Sequence, residues 1–147
     1  MSFWYPHVTV ATVVEDQGRF LLVEEYAEGK LVFNQPAGHL ERDENLIQAA
    51  ARETLEETGW SVEILGLIGF SLYTAPANGV TYCRHSFHGK PLQHDPARPL
   101  DEGIERAVWL SYEEILTLAP RMRSPMVIKT IEQFRSGHRY PLSLIYN

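Results

Sequence analysis

Basic residues are scarce in this chain: 13 lysines and arginines stand against 19 acidic residues, for a formal net charge of −6. A nonspecific grip on nucleic-acid phosphates needs clustered Lys and Arg, so the balance argues against that class and suits a protein that gathers divalent cations. Cysteine is nearly absent. The single Cys83 cannot close an internal disulfide and excludes a cysteine-rich zinc module. The six histidines are scattered, with neither HxxxH nor HExxH spacing, so a zinc site is not expected from them. No apolar run approaches the roughly 18 residues of a membrane-crossing helix. The opening Met1-Ser2-Phe3-Trp4-Tyr5-Pro6 also lacks the charged start and apolar stretch of a secretory signal. The expectation is a cytoplasmic protein without membrane or nucleic-acid partners, present as monomer or homodimer.

What is there suffices for a core. With 147 residues, 44% hydrophobic and 11% aromatic, the chain reads as a single domain over 1–147 and is not intrinsically disordered. Val8 to Val14 is a β-branched run expected as a buried strand, and Arg19 to Glu25 as the returning strand of a hairpin. Leu31 to Phe33 predicts a short strand, and Pro36 to Asp43 an irregular loop. Asn45 to Thr58 lacks Gly and Pro, and it predicts a helix with Asp43 as N-cap and Gly59 just past its end. Ile47, Ala51, Thr54, Leu55 and Thr58 form its mostly apolar stripe. Strands are expected over Ser61 to Tyr73, Val80 to His88 and Ile104 to Leu110, with a proline-containing loop from Lys90 to Gly103. Helices are expected over Tyr112 to Leu118 and Pro125 to Phe134, the latter capped by Ser124. Cys83, Trp109 and Phe134 are assigned to the core. Strands and helices mix without a βαβ rhythm, which predicts α+β or an α/β sandwich with a mixed sheet rather than a Rossmann fold.

Glu53, Glu56 and Glu57 stand at i, i+3 and i+4 on the long helix, within one arc of roughly 100° largely opposite the apolar stripe. Like charges so close destabilise a helix by about 0.2–0.5 kcal/mol per pair. Two readings stay open on spacing alone: a solvated acidic face, or a hard-cation site in which carboxylate oxygens meet Mg²⁺ or Mn²⁺. Gly38 lies just upstream, where a loop carbonyl can reach the same ion, and Arg52 can pair with Glu56 or Glu44.

The run from Gly38-His39-Leu40-Glu41-Arg42-Asp43-Glu44, through seven residues, to Arg52-Glu53-Thr54-Leu55-Glu56-Glu57-Thr58-Gly59-Trp60 resembles the Nudix box. Every polar and glycine position of that pattern is filled. Thr54 departs from the aliphatic position, and Trp60 is a large occupant of the last one. Pro6 to Ala11, Asn34 to Glu41, Arg123-Ser124-Pro125, Ser136-Gly137 and Arg139 to Leu142 are similar to a bacterial phosphatase subgroup of the same family. The resemblance implies the Nudix α/β/α sandwich, with its loop-helix and C-terminal helix, and hydrolysis of a small-molecule diphosphate with Mg²⁺, for which Mn²⁺ substitutes. The subgroup implies the pyrimidine diphosphate precursor of thiamine, thiamine diphosphate, or some nucleoside di- and triphosphates. A nucleotide-cleaning Nudix enzyme acting on nucleoside triphosphates or nucleotide sugars is the alternative, and a noncatalytic metabolite sensor is an alternative of another class.

Carried onto this chain, the resemblance makes Glu53, Glu56 and Glu57 the catalytic metal ligands and the Gly38 carbonyl a fourth. Glu44 and Arg52 are supports that hold those carboxylates. The general base is expected to be a box glutamate, or a carboxylate in the loop before Trp109. Gly103 occupies the position six residues before that tryptophan, which leaves Glu102 as the loop alternative. For the substrate, Arg19, Arg84 and Arg123 are candidate phosphate partners, and Phe33 or Tyr73 a candidate stacking ring. His39 is read either as a phosphate contact or as loop packing.

Overall fold

The computed structural model describes residues 2–147. The elements run β1 (His7–Asp16), β2 (Arg19–Ala27), β3 (Lys30–Asn34), β4 (Ala37–His39), α1 (Leu46–Thr58), β5 (Trp60–Thr74), β6 (Thr81–His94), β7 (Ile104–Ser111), α2 (Tyr112–Thr117) and α3 (Met126–Arg135). The seven strands follow the order β3-β2-β1-β6-β5, with β4 on β1 and β7 on β2. The β1–β6 pair is parallel and the other named pairs are antiparallel. Two apolar clusters cover the two faces. Val10, Val14, Leu21, Ala49, Ala50 and Phe87 pack on the α1 side. Val13, Phe20, Leu22, Val127, Ile131 and Phe134 pack on the α3 side. A strand covered on both faces reads as a continuous apolar run, which is why Thr9 to Val14 is buried without alternation. The result is the expected α+β arrangement, helices on both sides of a mixed sheet. Among the described residues no helix is long and apolar enough to cross a membrane.

The strand pairing opens the site. β1 and β2 pair only at their hairpin end, Glu15 with Phe20 and Asp16 with Arg19. Away from the hairpin, β4 takes the edge of β1, pairing Gly38 with Val10 and Ala37 with Ala11. The chain from Pro36 to Leu40 is fastened further by Thr12 N–H to the Pro36 carbonyl (3.1 Å) and Leu40 N–H to the Val8 carbonyl (3.1 Å). The loop expected from Pro36 to Asp43 therefore contains a strand. Three residues are too few for a periodic signal, and only the free edge of β1 supplies their partner.

α1 starts later than expected. Asp43 has a left-handed backbone (φ 67°), while Asn45 is extended and accepts from Gln48 N–H in a reciprocal capping box. Gly59 closes the helix at φ 76°, a conformation that favours glycine, and donates to the Leu55 carbonyl. The fully buried face is Ala49, Ala50, Thr54 and Thr58, while Ile47, Ala51 and Leu55 are half-buried at its margins. Thr54 Oγ1 donates to the Ala50 carbonyl (2.8 Å) and Thr58 Oγ1 to the Thr54 carbonyl (2.6 Å). Those bonds let hydroxyls occupy an interior position that is ordinarily aliphatic.

β6 runs on to His94, through residues expected as loop. Beyond Gly89 it has left β1 and pairs with β5 alone, so Pro91 falls at a register shift on a two-stranded ribbon, where a missing N–H is tolerated. Ser124 caps α3 only locally, its Oγ accepting from Met126 N–H at 3.1 Å. Phe134 is core as expected; Trp109 packs at the edge of the α1-side cluster, and Cys83 is half-buried on β6.

Ile131 is fully buried between α3 and the sheet. Ile131→Ala is expected to destabilise the protein by about 2–5 kcal/mol, read as a lower denaturation midpoint with an unchanged denaturant slope.

Candidate active site

The α1 carboxylates lean on the β4 backbone. Ala37 N–H donates to Glu57 Oε1 at 2.9 Å. One turn earlier, the Glu53 carboxylate lies so close to Gly38 that a Cβ there would sit 2.2 Å from Glu53 Cδ. Residues i and i+4 share one helix face, so both glutamates meet the same three-residue strand. Only glycine leaves room for that approach.

Arg52 organises the rest. Its Nε and Nη2 grip Glu44 at 2.9 and 2.7 Å, and Nη2 also donates to the His39 carbonyl at 3.0 Å. Nη1 reaches Glu53 Oε1 at 2.8 Å and Glu56 Oε2 at 3.3 Å. Glu44 Oε1 accepts from Glu41 N–H at 2.8 Å, so the clamp is anchored in the loop before the helix. A planar guanidinium suits this bidentate role in a way an ammonium would not.

A third wall comes from the loop before β7. Asp101 N–H donates to the Glu56 carbonyl at 3.1 Å. Glu53, Glu56 and Asp101 each place one carboxylate oxygen within 4.8 Å of the others. Burial pushes the Asp101 carboxyl up from its ordinary value, and the Glu56 charge adds to that. Burial likewise raises Glu53 in spite of Arg52, and it raises Glu57 to about 9, assisted by Glu25, Glu53 and Asp101 and opposed by the Ala37 N–H. These carboxylates repel negative charge from one another, and one guanidinium does not neutralise them all. An all-oxygen donor set with surplus negative charge fits a hard divalent cation.

A second polar group adjoins the first. Glu25, at the far end of β2 from the hairpin, is 9% exposed at its side chain and accepts from Arg123 Nη1 at 2.5 Å. Arg84 on β6 donates through Nη2 to Gln35, whose own Nε2 donates to the Val127 carbonyl of α3 at 2.8 Å. Arg84 is pushed down to about 10 by burial and then by the Arg123 charge, with Glu25 opposing. Arg123 and Tyr73 line one cleft of about 490 Å³ with Met122, Ser124, Pro125 and Ile128.

The residues singled out in the sequence thus divide. Gly38, Glu44, Arg52, Glu53, Glu56 and Glu57 come together, and Arg84, Arg123 and Tyr73 gather beside them. His39 is exposed on β4, its Nε2 3.0 Å from His7 Nδ1 and its ring edge-on to Tyr82. Phe33 is 2% exposed with Arg121 4.7 Å above its ring, so it is core and offers no face to a ligand. Arg19 pairs with Asp16 and Ser111 at the opposite end of β2, away from the carboxylates. In the later loop it is Asp101 rather than Glu102 that joins them. Asp101 stands in the same acidic loop before Trp109, one position from Glu102, the loop alternative to a box glutamate. Glu25 was signalled only as a charge closing an otherwise apolar strand.

Residues 5–128 match the NUDIX domain as a family. The chain belongs to the Nudix family. Its similarity to "Phosphatase NudJ" of Escherichia coli strain K12 is 47% identity over 140 residues, 95% of this chain and 90% of that protein. The same figures hold for "Phosphatase NudJ" of Shigella flexneri. A solved NUDIX hydrolase from Nitrosomonas europaea superimposes with a TM-score of 0.95 at 46% identity, covering 97% of both chains. The Nudix fold and a hydrolase acting on phosphorus-containing anhydrides are therefore as the motif implied. The family works with divalent metals, and the oxygen cluster of this chain suits one.

Two outcomes follow from the geometry. Gly38→Ala is expected to fold, because only a side-chain end must yield, while displacing Glu53 and lowering kcat/KM by about 10²-fold. In chelator-treated protein, Glu57 retains a proton that the unfolded chain has released, so stability should fall as pH rises from about 5 to 9. Glu57→Gln should reduce that slope, melting with wild type near pH 5 and above it at pH 8.5 by roughly 2–4 °C per kcal/mol relieved. A wild-type melting temperature flat across that window would overturn the assignment.

Proposed function

We propose that this Nudix protein hydrolyses a small organic diphosphate with Mg²⁺, Mn²⁺ substituting, and that its substrate is hydroxymethylpyrimidine diphosphate or thiamine diphosphate. The observation that carries the reading is the convergence of Glu53, Glu56 and Asp101 beside Glu57 and Gly38, on a helix face otherwise free to spread its charges. The 47% identity to the NudJ phosphatases over nearly the whole chain supports the choice of substrate class.

Glu53, Glu56 and Glu57 would hold the cation, with the Gly38 carbonyl as a further donor. A divalent cation at such a site supplies charge neutralisation for a diphosphate and a lowered pKa for water. The chain's own residues supply the rest. Arg52 fixes the Glu53 and Glu56 carboxylates and is itself fixed by Glu44. Asp101, raised from its ordinary value, stands where a loop base is needed. It accepts the proton of the attacking water as oxygen bonds to phosphorus and the bridging P–O bond breaks. Arg123 lies toward the cleft, where the organic part of the substrate has room.

Phosphate release from hydroxymethylpyrimidine diphosphate, compared with a panel of nucleotides and nucleotide sugars, tests the substrate. Glu53→Gln should lower kcat by roughly 10³-fold or more while the variant still melts cooperatively. Asp101→Asn should cost roughly 10²-fold or more and remove the acidic limb of the kcat profile, whereas Glu102→Gln should change little. A clear preference for a nucleotide would move the assignment to a nucleotide-cleaning enzyme. Ligand binding without turnover under any divalent ion would make the protein a sensor.

A further inference from the structure

Two buried side-chain atoms stand without a hydrogen-bond partner among the described residues: Glu25 Oε2 and Arg84 Nε. Such atoms are rare in folded proteins, because an unmet buried donor or acceptor forfeits its hydration for nothing. Here one is an acceptor, the other a donor, and they belong to residues that act on each other electrostatically without pairing. Each residue is already anchored through a different atom, Glu25 by Oε1 on Arg123 and Arg84 by Nη2 on Gln35. The anchors hold the free atoms in place, so neither can rotate to relieve itself cheaply.

Their position decides what they can serve. The Glu25 charge bears on Glu57 of the carboxylate site. Its partner Arg123 lines the cleft that Tyr73 and Ile128 wall with apolar surface. Through its charge on Glu57 and its bond to Arg123, Glu25 thus adjoins both the carboxylate site and the cleft, and Arg84 stands with it. Phosphate is a poor occupant, since it has only acceptors to set against Glu25 Oε2. An aliphatic group would leave both atoms unmet.

We propose that Glu25 and Arg84 form a specificity site for a nitrogen heterocycle on the diphosphate: an N–H of the ring or its amine donates to Glu25 Oε2, and a neighbouring ring acceptor takes the Arg84 Nε hydrogen. This rests on the diphosphate-hydrolase reading and names the part of the substrate that is read. A ring with donor and acceptor side by side satisfies both atoms in one contact, and discrimination is strong when its absence leaves buried groups unpaired.

The test uses the Mg²⁺-loaded protein and three probes: (4-aminopyrimidin-5-yl)methyl diphosphate, the same compound without its amine, and methyl diphosphate. Removing the amine should raise KM at least tenfold with kcat changed less than threefold. Glu25→Gln and Arg84→Met should each cost the aminopyrimidine probe at least tenfold more in kcat/KM than they cost methyl diphosphate. Equal losses on both would overturn the proposal, the residues then serving the carboxylate site or the fold. Calorimetry with the corresponding monophosphates on wild-type protein reads recognition apart from turnover, and it needs no variant to fold. A tenfold preference for the amine there supports the proposal even if no probe is hydrolysed, a result that would sink the hydrolase reading alone. Equal affinity with and without the amine overturns the proposal and leaves that reading standing.

Discussion

The contact between the β4 backbone and the acidic face of α1 is the constraint on which the site depends. Four carboxylates from α1 and the β7 loop crowd into a region where burial makes their charge costly. They are kept there by one guanidinium, one backbone N–H and the absence of a side chain at Gly38. An isolated helix would relieve the repulsion by letting the side chains diverge into water. The tertiary fold removes that escape, because Arg52 is clamped by Glu44 and β4 is stitched to β1. The surplus negative charge that results suits a hard divalent cation.

The same economy governs the sheet. β1 is the common strand, bonded to β2 only at the hairpin, to β4 beyond it, and to β6 along its other edge. Beyond the hairpin β1 and β2 part company and leave an opening, while Glu25 stays paired with Val32 of β3 and Ile104 of β7. Gln35 and Arg84 then tie that opening to α3, so one end of the cleft is built from the helix opposite the acidic one. Helices on both sheet faces give the site two rigid walls, which favours precise placement of side chains over loop mobility.

How far the chain could be read in advance varied with the range of the interaction. The strand run Val8 to Val14, the helix ending at Gly59 and the i, i+3, i+4 glutamates were legible because their causes lie within a turn or two of sequence. The N-cap was misplaced by two residues, since Asp43 and Asn45 are both good caps and only the left-handed turn at Asp43 chooses between them. β4 and the extension of β6 to His94 were not legible, because each exists through a partner strand remote in sequence. Phe33 illustrates the same limit: an aromatic at a strand end reads alike as core or as a stacking face until its neighbours are known.

The chain alone determined the chemical character of the site, because ligand type and helical spacing are local properties: three glutamates on one face, a glycine upstream and an arginine between. It also determined membership of the Nudix family through that spacing. Tertiary structure alone decided that Asp101 and not its neighbour completes the oxygen group, that Arg19 lies at the wrong end of its strand, and that Glu25 pairs with Arg123 near the unpaired Arg84 Nε. Those choices depend on strand register and on how β1 and β2 splay beyond their hairpin. Such long-range packing joins residues with no spacing rule between them.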